Sequence, residues 1–237
     1  MAAPTPTSAD TDAASARTLP AVEELAQALK VEVYDREGKT KTLGEVADGK
    51  RTVLVFTRHF WCLNCQAYVR CISKSIPPSN LPPNTQILII GNGSYQPIDT
   101  YATNSSSAYP IYTDPTLRLH SLFKFKSALK EGKAGDEQRD YMRNEGSAMS
   151  RVWGGIKGAL GTLQHVTYVG PKALNGGEVI LSADGQCEYM YRMQNTVDHT
   201  NVSELARLIG VECGVEGDED KMQQACGESC DVESKLS

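Results

Sequence analysis

The chain has 237 residues, 24 Lys and Arg against 29 Asp and Glu, a formal net charge of −5 and 40% hydrophobic residues. That length suits one sizeable domain with tails, and the absence of a basic block or an arginine-rich helix excludes nucleic acid as an expected partner. No run approaches the roughly 18 apolar residues of a bilayer-spanning helix, and residues 1–7 have neither a basic nor an apolar leader region. A soluble, cytoplasmic protein with no membrane partner is therefore expected. Ser234-Lys235-Leu236 is followed by Ser237, so it is not expected to act as a terminal peroxisomal address.

Residues 1–18 are rich in Ala, Thr, Ser, Asp and Pro and read as a disordered arm, with a single domain expected over 19–211. Val22, Leu25, Ala26 and Leu29 recur at helical spacing, residues 31–34 alternate as a strand, and Glu37-Gly38 turns it. A short helical turn is expected over 43–46. Residues 52–56 form the next strand, followed by a cysteine-bearing helix to about Ile76, where Pro77-Pro78 stops it. Residues 86–91 show no alternation, the pattern of a central parallel strand covered on both faces. Pro97 opens a helix through Tyr101, residues 109–112 give a short strand, and Asp114-Pro115 starts a helix packed through Leu117, Leu119, Leu122 and Phe123.

Residues 124–165 are rich in glycine and charge and read as an insertion with one or two short helices. A hairpin of 177–181 and 186–191 turns at Asp184-Gly185, a helix spans 202–209, and 212–237 reads as an acidic mobile tail. This order implies an α/β fold, a mixed sheet flanked by helices on both faces in an arrangement that resembles the thioredoxin-like one.

Seven cysteines fall at 62, 65, 71, 187, 213, 226 and 230, an odd number without the look of a secreted disulfide framework. In a reducing compartment, close pairs point to redox or metal chemistry. Cys62 stands where strand pattern gives way to helical spacing. Unpaired N–H groups and the positive end of the helix dipole stabilise a thiolate there, and Cys65, one turn on, is close enough to close a disulfide. Arg58 is a candidate for lowering the thiol or holding an anionic substrate, and His59 for shuttling a proton; a strand-end charge and a packed histidine are the plain alternatives. Cys71 is assigned to the core, Asp198-His199 to the cap of the last helix, Gly91-x-Gly93 to a turn, and Cys226 and Cys230 to incidental exposed thiols.

Arg58-His59-Phe60-x-Cys62-x-x-Cys65, the strand ending Gly91-Asn92-Gly93-Ser94, the run Tyr109-Pro110-Ile111-Tyr112-Thr113-Asp114-Pro115 and the Gly176-Gly177 hairpin together resemble the peroxiredoxin-like 2 proteins. These belong to the alkyl hydroperoxide reductase and thiol-specific antioxidant branch of the thioredoxin superfamily. The resemblance covers about residues 20–210 and implies a thioredoxin-like fold, a redox-active cysteine pair and an antioxidant role. It adds Arg192 as a candidate, because a similar late arginine in peroxiredoxins polarises peroxide near the sulfur. Two departures stand out. Peroxiredoxins proper carry Pro-x-x-x-Thr-x-x-Cys, whose threonine orients peroxide; Val55 and His59 occupy those positions here. Thioredoxins proper carry Trp-Cys-Gly-Pro-Cys and a cis-proline; Trp61 is kept, Leu63-Asn64 fills the centre, and Gly176-Gly177 stands near the proline site, where glycine leaves room for a partner backbone.

The resulting expectation is a thiol-dependent oxidoreductase. Cys62 attacks an oxidised small molecule or protein, a disulfide or a peroxide-type substrate, and Cys65 releases it as an intramolecular disulfide. An external thiol or dithiol reductant of thioredoxin or glutathione type restores the pair, and neither cofactor nor metal is expected. Two rivals stay open: a zinc or iron–sulfur module using both thiols as ligands, and a non-catalytic thioredoxin-like redox sensor.

Overall fold

The computed structural model describes residues 15–127, 139–142 and 169–211. In chain order the elements are α1 (Val22–Ala28), β1 (Glu32–Tyr34), β2 (Thr40–Thr42), α2 (Leu43–Ala47), β3 (Arg51–Phe56), α3 (Leu63–Ser75) and a 3-10 turn at Pro78–Asn80. There follow β4 (Thr85–Gly91), α4 (Ile98–Ser105), β5 (Ile111–Thr113), α5 (Arg118–Leu122), a 3-10 turn at Asp140–Met142, β6 (Gly177–Leu181), β7 (Cys187–Arg192) and α6 (Val202–Ile209). Strand β2 is an element that its polar sequence, Thr-Lys-Thr, does not announce.

The strands form one mixed sheet in the order β2-β1-β5-β4-β3-β6-β7. Its heart is a β-α-β half, in which β3 and β4 run parallel, joined to a β-β-α half, in which β6 and β7 run antiparallel. The halves meet where β3 pairs antiparallel with β6, Val55 opposite Glu178 and Phe56 opposite Gly177. That topology is thioredoxin-like, extended by β5 alongside β4 and by the β1–β2 hairpin at the edge.

The unbroken apolar run of β3 and β4 follows from the two-residue period of a strand. Val53, Val55, Ile87 and Ile89 face a core shared with Tyr68 and Ile72 of α3, Ile98 and Tyr101 of α4, and Val202, Leu205 and Ile209 of α6. Their neighbours Leu54, Phe56, Leu88 and Ile90 face a second core with Leu25 of α1, Leu43 of α2 and Leu119 of α5. Each face is sealed, so a polar group without a partner is costly there.

Helix ends follow local chemistry with two reassignments. At α2, Glu45 N–H donates to Thr42 Oγ1 at 3.2 Å and Thr42 N–H donates to Glu45 Oε2 at 2.6 Å, a reciprocal box. Asp114 accepts from Thr116 N–H at 2.9 Å and from Leu119 N–H at 2.8 Å, carrying the chain into α5 through Leu117 at φ 61°. The cap expected from Asp198-His199 is absent: Asp140, from a distant segment, accepts Ser203 N–H at 3.1 Å at the start of α6. Both residues are committed elsewhere, Asp198 to Arg139, Tyr191 and Gln194, and His199 to Glu178.

The domain also begins earlier than composition suggests. Residues 15–17 make a helical turn, Ala16 is buried, and Arg192 donates to Ser15 O at 3.0 Å and Thr18 O at 2.7 Å. Of the expected insertion, 139–142 is described and puts Tyr141 and Met142 into the α3 core. Most of the rest of that insertion, the first 14 residues and the expected tail with Cys213, Cys226 and Cys230 lie outside the described residues.

His120 is buried between the edges of Phe56 and Phe125, at ring distances of 5.7 and 5.4 Å. Burial, only partly offset by Asp114, pushes it down to about 4. A histidine depressed in the folded state contributes full stability above its unfolded value near 6.5 and loses it as pH falls towards the folded value. Urea unfolding of the wild type should lose about 3 kcal/mol between pH 7 and pH 4 through this group. His120→Phe should remove that part of the acid loss.

Candidate active site

Strand β3 ends at Phe56, and the chain turns through Thr57 and Arg58 before α3 begins. The turn is pinned from several directions. Asn92 Nδ2 donates to Arg58 O at 2.5 Å, Gln66 Nε2 to Phe60 O at 3.1 Å, and Cys62 N–H to His59 O at 3.0 Å. The Phe60 ring lies on Gly91, where an added Cβ would come within 2.3 Å of it, so glycine at the end of β4 is what lets the turn seat.

Cys62 is the N-cap residue of α3, and its Sγ accepts from Cys65 N–H at 3.4 Å. Cys65 Sγ donates to Cys62 Sγ at 2.9 Å and itself accepts Arg58 N–H at 3.4 Å. Arg58 Nη1 donates to Cys62 Sγ at 3.6 Å. The rest of that guanidinium is anchored by Leu174 O at 3.2 Å and Lys172 O at 3.0 Å, which holds the cation over the sulfur although the residue is only 6% exposed. Cys62 and Cys65 are free and buried thiols.

These contacts divide the pair. The hydrogen bond from Cys65 lowers Cys62 to about 6; burial opposes it, and Arg58 and the Cys65 amide add to the lowering. Burial, followed by the neighbouring Cys62, raises Cys65 well above the ordinary thiol value. One sulfur is thus a thiolate near neutral pH and the other its proton donor.

Three candidates from the sequence, Cys62, Cys65 and Arg58, converge. His59 contributes its backbone carbonyl, while burial, then Arg58 and Lys172, push its ring to about 3, leaving it neutral at pH 7 and unable to shuttle a proton there. Arg192 does not join the group: its guanidinium is taken by Phe123 O at 2.6 Å, Ser15 O and Thr18 O. At Gly176 an added Cβ would stand 1.8 Å from Phe56 O, so the space glycine leaves near the expected proline site is filled by this chain's own backbone. Cys71 lies in the α3 core, as the sequence suggested. Among the described residues no group of three or more His, Cys, Asp and Glu is placed to hold a metal ion.

Behind the pair lies a cluster that the sequence reading missed. His199 Nδ1 is 2.6 Å from Glu178 Oε1, and Glu178 Oε2 accepts Thr200 N–H at 3.1 Å and Thr200 Oγ1–H at 2.7 Å. The signal was a charge at position 178, on the same strand face as core residue Ile180. Beside Cys62 in the chain, Trp61 carries Lys172 Nζ 5.6 Å over its indole ring.

A family model described as AhpC/TSA antioxidant enzyme matches residues 73–195, a stretch that begins beyond Cys65. The curated relatives include peroxiredoxin-like 2C of Homo sapiens, 28% identical over 220 residues and covering 90% of this chain and 94% of the relative. Its Mus musculus counterpart is 27% identical over 181 residues, 76% of this chain and 77% of the relative. Among solved structures, a secreted Mycobacterium tuberculosis disulfide oxidoreductase superimposes with a TM-score of 0.44 at 14% identity, covering 80% of this chain and 98% of that one. Peroxiredoxin Q of Xanthomonas campestris gives 0.41 at 13% identity, covering 79% and 94%. Strand order and register, not these superpositions, carry the fold assignment.

Iodoacetamide should label Cys62 with an inflection near pH 6, read by mass spectrometry of the Cys62 peptide. Cys187, which burial raises to about 11, should stay slow at pH 7. Removing the cation in Arg58→Gln should move the Cys62 inflection upward by about one pH unit, equivalent to roughly 1.4 kcal/mol. An unmoved inflection would show that Arg58 has no hold on the sulfur.

Proposed function

Because the chain belongs to the AhpC/TSA antioxidant enzyme family and is similar to peroxiredoxin-like 2 proteins, we propose a thiol-dependent oxidoreductase whose Cys62–Cys65 pair reduces a disulfide or peroxide-type substrate. The observation that carries the reading is the division of labour between the sulfurs: Cys62 lowered, Cys65 raised, and a hydrogen bond of 2.9 Å between them.

With a disulfide, the Cys62 thiolate forms a mixed disulfide and expels one substrate thiolate. Cys65 then loses its proton and attacks the Cys62 sulfur, closing the pair and releasing the second substrate sulfur as a thiol. With a hydroperoxide, Cys62 takes the terminal oxygen as sulfenic acid and releases an alcohol; attack by Cys65 expels that oxygen as water. In either case the substrate gains two electrons, and an external dithiol returns them to the pair. The cytoplasm, which holds thioredoxin- and glutathione-type donors, is the compartment this cycle suits.

The site favours the disulfide route. Where a peroxide-orienting hydroxyl is expected, His59 offers a neutral buried ring, and Arg58 is the side-chain donor that remains on the Cys62 sulfur besides Cys65. No helix among the described residues is long and apolar enough to cross a membrane.

Turnover of insulin disulfide, hydrogen peroxide and an organic hydroperoxide, compared with thioredoxin or glutathione as donor, tests the reading. Insulin reduction should exceed both peroxide rates. Cys62→Ser should lower turnover at least about 100-fold, and Cys65→Ser should accumulate a mixed disulfide on Cys62. A reversible Cys62–Cys65 disulfide without turnover of any substrate identifies a sensor; stoichiometric zinc lost in Cys62→Ser identifies a metal module.

A further inference from the structure

In that cycle the proton of Cys65 needs a carrier before it reaches the departing thiolate or solvent. Cys65 is a protonated, fully buried thiol, and it must become a thiolate at the moment it attacks Cys62. At rest its proton points at the Cys62 sulfur, but once that sulfur is bonded to substrate it is no longer a base. Another acceptor is required in the interior.

Three described histidines are candidates. His59 is pushed too low to hold a proton at neutral pH, and His120 lies among Phe56, Phe123 and Phe125, the rings of the other core. His199 alone lies on the face that bears the cysteine helix. Its ring stacks on Tyr68 at 4.2 Å with planes 10° apart, and Tyr68 is one turn beyond Cys65, the i,i+3 spacing that puts both on one side of α3. Glu178 pairs with Val55, whose side chain faces that same core.

The ring is held like a working base. Its Nδ1 is fixed by Glu178, both side chains are 0% exposed, and its backbone N–H donates to Tyr141 Oη at 3.2 Å. Nε2 is buried and has no hydrogen-bond partner among the described residues, which is costly in a sealed core. Resting on the thiol cycle proposed above, we propose that Glu178 and His199 form a buried dyad that accepts the proton of Cys65 when it resolves Cys62. His199 takes the proton and Glu178 is a positioning residue that fixes its tautomer and neutralises the charge gained. The Cys65 S–H bond breaks, the sulfur–sulfur bond to Cys62 forms, the leaving thiolate departs, and His199 returns the proton to it or to solvent. Other titratable groups around the dyad are Tyr68 on α3, Asp140 and Tyr141 on the 3-10 turn, Tyr189 on β7 and Asp198 in the loop before α6. Burial holds the three tyrosines above their ordinary values, so they remain protonated while the dyad works.

The test follows resolution without a physiological substrate. Cys62 is converted to its mixed disulfide with 5-thio-2-nitrobenzoate, and release of that chromophore by Cys65 is timed from pH 6 to 9. His199→Gln should slow release at pH 7 at least about tenfold and make the rate climb with hydroxide where the wild type levels off. Glu178→Gln should fall between them. Folded variants with the wild-type pH profile overturn the dyad, whereas a wild type that releases no chromophore overturns the thiol cycle itself. Should neither variant fold, the wild type decides: its rate of chromophore release should level off within the range from pH 6 to 9, and a rate that climbs with hydroxide throughout refutes the proposal.

Discussion

The hydrogen bond from the Cys65 thiol to the Cys62 sulfur organises the chemistry of this protein. A buried anion of this kind is costly unless donors surround it. Here the donors come from the thiol, the Cys65 amide and the Arg58 guanidinium. The same contact that lowers Cys62 raises Cys65, so one interaction sets two thiols of one residue type apart.

That contact depends on the placement of the turn by the sheet. Parallel pairing of β3 and β4 brings Asn92 beneath the Arg58 carbonyl and Gly91 beneath the Phe60 ring. The β3–β6 pairing brings the segment before β6 close enough for Lys172 and Leu174 to grip the guanidinium with their carbonyl oxygens. Arg58 therefore gains its orientation from backbone atoms more than a hundred positions away, and substitution by a shorter or more flexible cation would forfeit it.

Much of this was legible in the chain. The unalternated runs of β3 and β4 mark strands sealed on both sides, and the strand-to-helix change at Cys62 marks a thiol at a helix start. Both are local patterns, and local patterns survive without knowledge of the fold. Arg192 and His59 show the limit of that reading. Each sits where a charged or basic group near sulfur is plausible, yet Arg192 ties the segment around Ser15 to the end of α5, and His59 is drowned by burial beside two cations. The cap of α6 comes from Asp140 instead of the adjacent Asp198, because the Asp140–Met142 turn packs at that helix start while Asp198 is taken by Arg139, Tyr191 and Gln194.

From the sequence alone came most of the order of strands and helices, the thioredoxin-like arrangement it implies, the closely spaced Cys62 and Cys65 and the family likeness, all encoded within a few residues or in the order of segments. The tertiary structure decided which charges meet the sulfurs and which do not, and it disclosed Glu178 and His199 as partners. Those assignments join residues from separate segments across a sealed core, where burial and distance set whether a group is charged, and neither quantity is written in the chain at the positions concerned.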